Sequence, residues 1–284
     1  MTERVRDHLG QFGVWRGQQD LTPELAAGLE QLGFGTLWVG SSPGGDLARV
    51  EEFLAATTRL TVATGIVNMW SADARVVAAS RARIEARFPG RFLLGVGAGH
   101  REATSEYAHP YETLVSYVDT LLDGGVPADS LVLAALGPKV LRLAAERTAG
   151  AHPYLVPPGY TRQARDILGA GPLLAPEQKV VLEADPRRAR AIGRPRVARP
   201  YLGLSNYTAN LRRLGWTDDD LRDGGSDALI DALVAHGTDE QIAARVGAHL
   251  EAGADHVCVQ LLDEPGADPM AGYRQLAAAL GLGR

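Results

Sequence analysis

Cysteine is nearly absent from this 284-residue chain. Cys258 stands alone, which excludes an intrachain disulfide and a cysteine-based zinc site. It lies in the apolar run His256-Val257-Cys258-Val259-Gln260-Leu261, where a buried strand position explains it better than a nucleophile does. Lysine is scarce too: Lys139 and Lys179 are the only two. The other basic residues are arginines, and with abundant Ala and Gly this composition suggests a GC-rich bacterial genome. Positive charge is not in excess, since the net charge is −5 and the pI is about 5.8. The chain therefore has no general electrostatic footprint for nucleic acid, and an acidic ligand needs a local pocket. No apolar run reaches the ~18 residues of a membrane helix. Segment 1–10 is charged and lacks the apolar core of a signal peptide, so the expected location is the cytoplasm.

What is present is alternation. Hydrophobic residues make up 45% and charged residues 22%, enough for a sizeable core. Strands are expected at 11–15, 36–39, 60–67, 92–96, 131–136, 150–156, 179–183 and 256–262. Helices are expected between them, for example from the cap Thr22-Pro23-Glu24 to Leu32. The strands read as nearly continuous apolar runs, as in a parallel sheet covered on both faces. Residues 186–192 look helical. Residues 201–225 look like inserted helical segments, in which Asp218-Asp219-Asp220 is a helix start rather than a metal site. Eight strand–helix units predict a single (β/α)8 TIM barrel, with a helical insertion late in the chain, as one domain over residues 1–284.

Barrel enzymes work at the carboxyl ends of their strands. Those ends carry Gly40-Ser41-Ser42-Pro43-Gly44-Gly45, Asn68-Met69-Trp70-Ser71, Gly97-Ala98-Gly99-His100, Gly137-Pro138, Ala151-His152-Pro153-Tyr154 and Asp263-Glu264. Glycines at the mouth leave room for backbone to lie against a flat, extended ligand, and tight exit turns account for them equally well. The spacing of Gly95-Val96-Gly97-Ala98-Gly99 is wrong for a dinucleotide fingerprint. His100, His152 and Asp263 can be combined into a metal-dependent barrel hydrolase, but no His-x-His follows the first strand and no carboxylate ends strands two to five. No nucleophile elbow and no P-loop occur.

Residues 60–68, Leu-Thr-Val-Ala-Thr-Gly-Ile-Val-Asn, precede a long helix and then Pro89-Gly90-Arg91-Phe92-Leu93-Leu94-Gly95-Val96-Gly97-Ala98-Gly99-His100. This arrangement resembles the luciferase-like monooxygenase superfamily, and within it the coenzyme F420-dependent oxidoreductases. The resemblance runs from Gly13 to Leu280. It implies a non-prolyl cis peptide at Gly65-Ile66 or one residue later, next to Val67, backing the cofactor ring. It implies that Gly40 and Gly97-Ala98-Gly99 lie beside that ring. His100 stands where relatives carry an acidic proton donor, and an imidazole titrates near neutral pH. Relatives carry Asp-His where this chain has Gly40-Ser41, so Ser41 occupies the catalytic histidine's place. Ala151-His152-Pro153-Tyr154 and the helix start Gly159-Tyr160-Thr161-Arg162 resemble the region that holds the cofactor's tail and phosphate, chemistry that suits a helix N-terminus. Trp70, Tyr107 and Tyr111 can shape an apolar pocket. The implied activity is hydride transfer between F420 and a small organic substrate. The alternative is an FMN-dependent monooxygenase served by a separate reductase. Relatives often pair through barrel helices, which makes a homodimer one expected assembly.

Overall fold

The computed structural model describes residues 5–100, 108–263 and 266–283. The chain runs β1 (Phe12–Gly17), α1 (Pro23–Gln31), β2 (Thr36–Gly40), α2 (Ala48–Ala55), β3 (Thr61–Gly65), β4 (Val67–Asn68), α3 (Ala74–Arg87) and β5 (Phe92–Gly97). It continues through α4 (Pro110–Asp123), β6 (Leu131–Leu133), α5 (Pro138–Arg147), β7 (Gly150–Ala151), α6 (Pro158–Leu168), β8 (Leu173–Leu174) and β9 (Glu177–Val180). The last part holds α7 (Pro186–Ala198), α8 (Ser205–Arg213), α9 (Asp218–Leu221), α10 (Asp227–Leu233), β10 (Val234–Ala235), α11 (Asp239–Glu251), β11 (Val257–Leu261) and α12 (Pro269–Ala279).

The strands are parallel and alternate their side chains between two buried layers. Leu37, Val62, Leu94, Leu131 and Val257 face the helices and join the main core. Their neighbours Trp38, Ala63, Leu93, Val132 and Cys258 face the inside of the curl and form a second cluster with Trp15. A period of two with both faces covered is why these segments read as unbroken apolar runs. Cys258 is fully buried, as its sequence context indicated. A third cluster lies under the late helices, around Val197, Leu211, Leu229 and Ile230.

The closed eight-stranded barrel is not what forms. The sheet is curled and TIM-barrel-like, but its ladder is open, running β10-β9-β11-β1-β2-β3-β5-β6-β7-β8 with β4 on β5. The break has a local cause. The expected seventh strand at 179–183 instead begins at Leu173, and Ala175-Pro176 divides it into β8 and β9. Pro176 has no N–H to give to a ladder. β8 pairs with β7 at one end of the ladder, while β9 pairs with β11 and β10 near the other, so the short Ala175-Pro176 link carries the chain from one end of the ladder to the other.

Other differences are also local. β7 stops at Ala151, because Pro153 interrupts it and Leu155 takes φ 56°. Helix α7 continues past Ile192 to Ala198 despite Pro195. The late insertion is helical as expected, and it includes α10, whose start is capped by the Ser226 side chain accepting from Leu229 N–H. Asp218-Asp219-Asp220 does open a helix, in a capping box between Thr217 and Asp220. Among the described residues, no helix is long and apolar enough to cross a membrane.

Candidate active site

Parallel strands put all their carboxyl ends at one mouth. A cavity of about 380 Å³ opens there between β1, β9, β11 and the late insertion. A larger one, about 930 Å³, lies at the opposite end, lined by Glu30, Arg59, Arg91 and Asp129. Size favours the second, but its lining comes from the segments that lead into strands. The strand exits that carry candidate chemistry are at the first.

The floor of the mouth is a buried polar network. Lys179 Nζ donates to Glu177 Oε1 at 3.1 Å and to Gln260 Oε1 at 2.9 Å. The same ammonium sits 3.9 Å from the Tyr154 ring centroid. Glu177 Oε2 accepts Leu155 N–H at 3.0 Å. Tyr154 donates its hydroxyl to Gln260 at 2.7 Å, and Tyr201 donates to Tyr154 at 2.9 Å. Burial pushes Glu177 up and Lys179 down, while each partner favours the other's charged form. Burial, reinforced by neighbouring Tyr201 and Glu177, also holds Tyr154 and Tyr207 well above the usual phenol value, and burial first among causes pushes Tyr201 up to about 12. The three tyrosines are therefore neutral hydrogen-bonding groups at physiological pH.

Beside this network, β3 ends at Gly65 and the chain resumes as β4 at Val67, which pairs with Val96. The Gly65–Ile66 peptide is cis, at the position the resemblance implied. Trp15 Nε1 donates to Gly65 O at 3.1 Å. Protein side chains fill the space over the mouth glycines. A Cβ on Gly40 would lie 2.2 Å from the Trp15 ring, and one on Gly65 2.7 Å from Trp15 Nε1. One on Gly97 would meet Ala134 at 2.8 Å, and one on Gly99 would meet Asn68 at 2.5 Å. These close approaches are internal packing and give each position its own structural reason to be glycine. What remains at the surface of the shelf is Gly65, Ile66, Ala98 and Gly99, all half-buried and uncharged.

The other candidates fall in different places. Ser41 is exposed at φ 60°, lines the cavity, and accepts from Gln18 Nε2 through its carbonyl at 2.9 Å. His100 stands at the β5 exit, with its ring 5.6 Å from that of Tyr207. His152 lies beneath the mouth, stacked on Trp38 at 4.1 Å, and its Nδ1 donates to Ala175 O at 2.7 Å. Its Nε2 is a buried acceptor without a partner among the described residues, and burial pushes its pKa down to about 4. Ala151 and Pro153 are buried backbone partners of Ala175 and Glu177. Tyr160 is buried, its hydroxyl on the carbonyls of Ala135 and Leu136, and the Thr161 hydroxyl is engaged with His249 Nδ1 at 2.7 Å. Of that helix start, only Gly159 and Arg162 face outward. Trp70 donates to Ala98 O at 2.7 Å, and Tyr111 packs under Lys139. Tyr107 and Glu264 lie outside the described residues. Among the described residues, no three His, Cys, Asp or Glu side chains converge as a metal would require.

Sequence reasoning missed Trp15, Glu177, Lys179, Tyr201, Tyr207 and Gln260. One signal was available: a lysine beside a glutamate within a stretch bounded by Leu173-Leu174 and Val180-Val181, in a chain with only two lysines.

A curled parallel sheet with a polar mouth at its strand exits and a cis peptide after β3 defines a TIM-barrel-like class of proteins. The chain belongs to the luciferase-like monooxygenase family, whose model matches residues 16–256. It is 37% identical over 95 residues to 4-hydroxyprotoasukamycin monooxygenase of Streptomyces nodosus subsp. asukaensis. That match covers 31% of this chain and 24% of the relative, so it spans about a quarter of the curated relative's length. The fold is similar to that of an F420-dependent secondary alcohol dehydrogenase bound to an F420–acetone adduct, with TM-score 0.74, 16% identity, and 95% and 98% of the two chains covered. It is also similar to the oxygenating constituent of 3,6-diketocamphane monooxygenase from the CAM plasmid of Pseudomonas putida with FMN, with TM-score 0.64, 14% identity, and 95% and 98% covered. Metal-dependent hydrolysis has no support in either the family or the described side chains.

Proposed function

We propose that the chain is an oxidoreductase that transfers a hydride between coenzyme F420 and a small organic substrate. The observation that carries the reading is the uncharged shelf of Gly65, Ile66, Ala98 and Gly99 beside a polar cavity. Such a surface fits one face of a flat tricyclic ring and leaves the other face toward the cavity. Arg162, exposed near the start of α6, fits the tail phosphate. A bound deazaflavin supplies the hydride donor or acceptor. The chain's own residues orient the ring and the substrate, exclude water through Trp15 and the tyrosine cluster, and supply a proton. In the reducing direction the substrate carbon gains a hydride and its heteroatom a proton, for which His100 is the donor. Ser41, where relatives carry histidine, contributes a hydroxyl to the same wall.

A second reading, an FMN-dependent monooxygenase served by a separate reductase, is favoured by the monooxygenase relative and by the FMN-bound structure of similar fold. A fluorescence titration of the purified protein with F420 and, separately, FMN decides between them. Micromolar F420 binding without an FMN response is expected, with His100→Ala binding F420 equally but turning over at least about a hundredfold more slowly. Binding of FMN alone moves the assignment to the second reading, and binding of neither removes both.

A further inference from the structure

We propose that the cavity at the mouth recognises the anionic group of the substrate, a carboxylate or phosphate monoester, through Arg196 and Arg199. This rests on the reading of the mouth as the active site. Both residues line the cavity and are exposed, and neither makes a hydrogen bond or ion pair to any described residue. On α7, Arg190 and Arg194 pair with Asp227 and Asp231, and Arg188 with Glu183, whereas the equally unpaired Arg187 is exposed away from the cavity.

The acids within reach are already engaged. Asp263 pairs with Arg16 at 3.1 Å, Asp20 accepts from Gln19 Nε2 at 3.1 Å, and Glu177 holds Lys179 and Leu155 N–H. Beneath the two arginines the floor is fixed by Lys179, which is 1% exposed and is itself repelled by Arg196. The cavity is thus lined by four cationic residues, Arg16, Lys179, Arg196 and Arg199, against two carboxylates, Asp20 and Asp263, in a chain whose net charge is −5. Paired guanidiniums are the protein group best matched to a planar carboxylate or a phosphate, because each offers two parallel N–H donors. A cavity of about 380 Å³ suits a small molecule with one such head. Trp15 and Ser41 line the same cavity, and Trp15 bonds to Gly65 at the shelf. The anionic end therefore lies toward α7 and the reacting carbon toward the shelf.

The test titrates the full-length protein with inorganic phosphate and with butyrate, followed by ligand-observed NMR. Millimolar binding is expected, weakened at least about tenfold in the double variant Arg196→Gln/Arg199→Gln. The control Arg142→Gln/Arg187→Gln removes the same charge from exposed positions outside the cavity and should bind like the parent. Glu264→Gln, next in sequence to Asp263, should change affinity less than twofold. No anion binding by the parent, equal losses in both double variants, or a marked gain in Glu264→Gln overturns the proposal. So does a tenfold loss of F420 or FMN affinity in Arg196→Gln/Arg199→Gln, which would give the arginines to the coenzyme's phosphate. Selective anion binding by a protein that takes neither coenzyme keeps the anion site and removes the hydride-transfer reading.

Discussion

Lys179 and Glu177 lie two residues apart on β9, both on the inner side of the curl, and form an ion pair at 3.1 Å in which the two side chains are 1% and 0% exposed. Two charges taken out of water are costly, and the pair persists because every strong donor and acceptor has a partner. Gln260 and the Tyr154 ring complete the lysine's surroundings, and Leu155 N–H completes the carboxylate's. The pair thereby fixes Tyr154, and through it Tyr201, in the wall of the mouth.

Breaking the pair on one side should therefore cost more than removing it. Lys179→Met leaves a carboxylate buried without a counter-ion, and a loss of about 3–5 kcal/mol is expected in urea denaturation. The double variant Lys179→Met/Glu177→Gln should recover more than half of that, since the amide still accepts Leu155 N–H. A single variant within about 1 kcal/mol of the parent would show that the network does not hold the mouth together.

Gly40 and Trp15 test the packing of the shelf. An added methyl group at Gly40 would sit 2.2 Å from the outer indole ring, so Gly40→Ala must displace Trp15 from Gly65. A destabilisation of about 1–3 kcal/mol is expected, with a shift in tryptophan emission. Trp15→Phe removes the outer ring, and combined with Gly40→Ala it should restore much of the loss in a double-mutant cycle. If the two losses simply add, the indole is not what requires glycine at position 40.

The first half of the fold was legible because its strands, such as Leu37-Trp38-Val39 and Phe92-Leu93-Leu94, are apolar on both faces and their helices carry clear caps such as Thr22 and Asp73. The seventh strand was not, since Glu177, Gln178 and Lys179 are polar residues that no local pattern assigns to a core. Their partners, Gln260, Leu155 and His249, come from distant segments. The alternation of strands and helices was readable, but the strand count and closure were not: eight strands were expected and eleven form among the described residues, and closure depends on how β8 and β9 divide at Pro176, a matter of pairing rather than propensity. At the site, the glycine spacing was visible while the atoms over each glycine were not. The identity of Gly40 says nothing of Trp15, which reaches it from the neighbouring strand. Arg196 and Arg199 were hidden for a similar reason, because a charged helix face shows its purpose only when the acids around it are found to be taken.

The buried histidines make the fold sensitive to acid. Burial lowers His152 and His256 to about 4 and His249 to about 3, from an ordinary value of 6.5. Burial holds each ring neutral, although the carbonyls of Ala175 and Gly10, which accept from His152 and His256, pull the other way; His256 also accepts from Trp38, and His249 is engaged with Thr161 and Gln178. Because the folded values are depressed, the unfolded chain binds more protons between pH 6.5 and about 4. The stability these groups contribute is then present above pH 6.5 and is lost as pH falls through that window. Each histidine should remove about 2 kcal/mol between pH 7 and pH 5, before any of them protonates in the folded state. Urea midpoints measured at the two pH values should fall accordingly. The ring C–H signals of these three residues should stay unshifted in NMR down to pH 5. A ring that titrates near 6.5 in the folded protein would show that its site admits the charged form and contributes nothing to the acid lability.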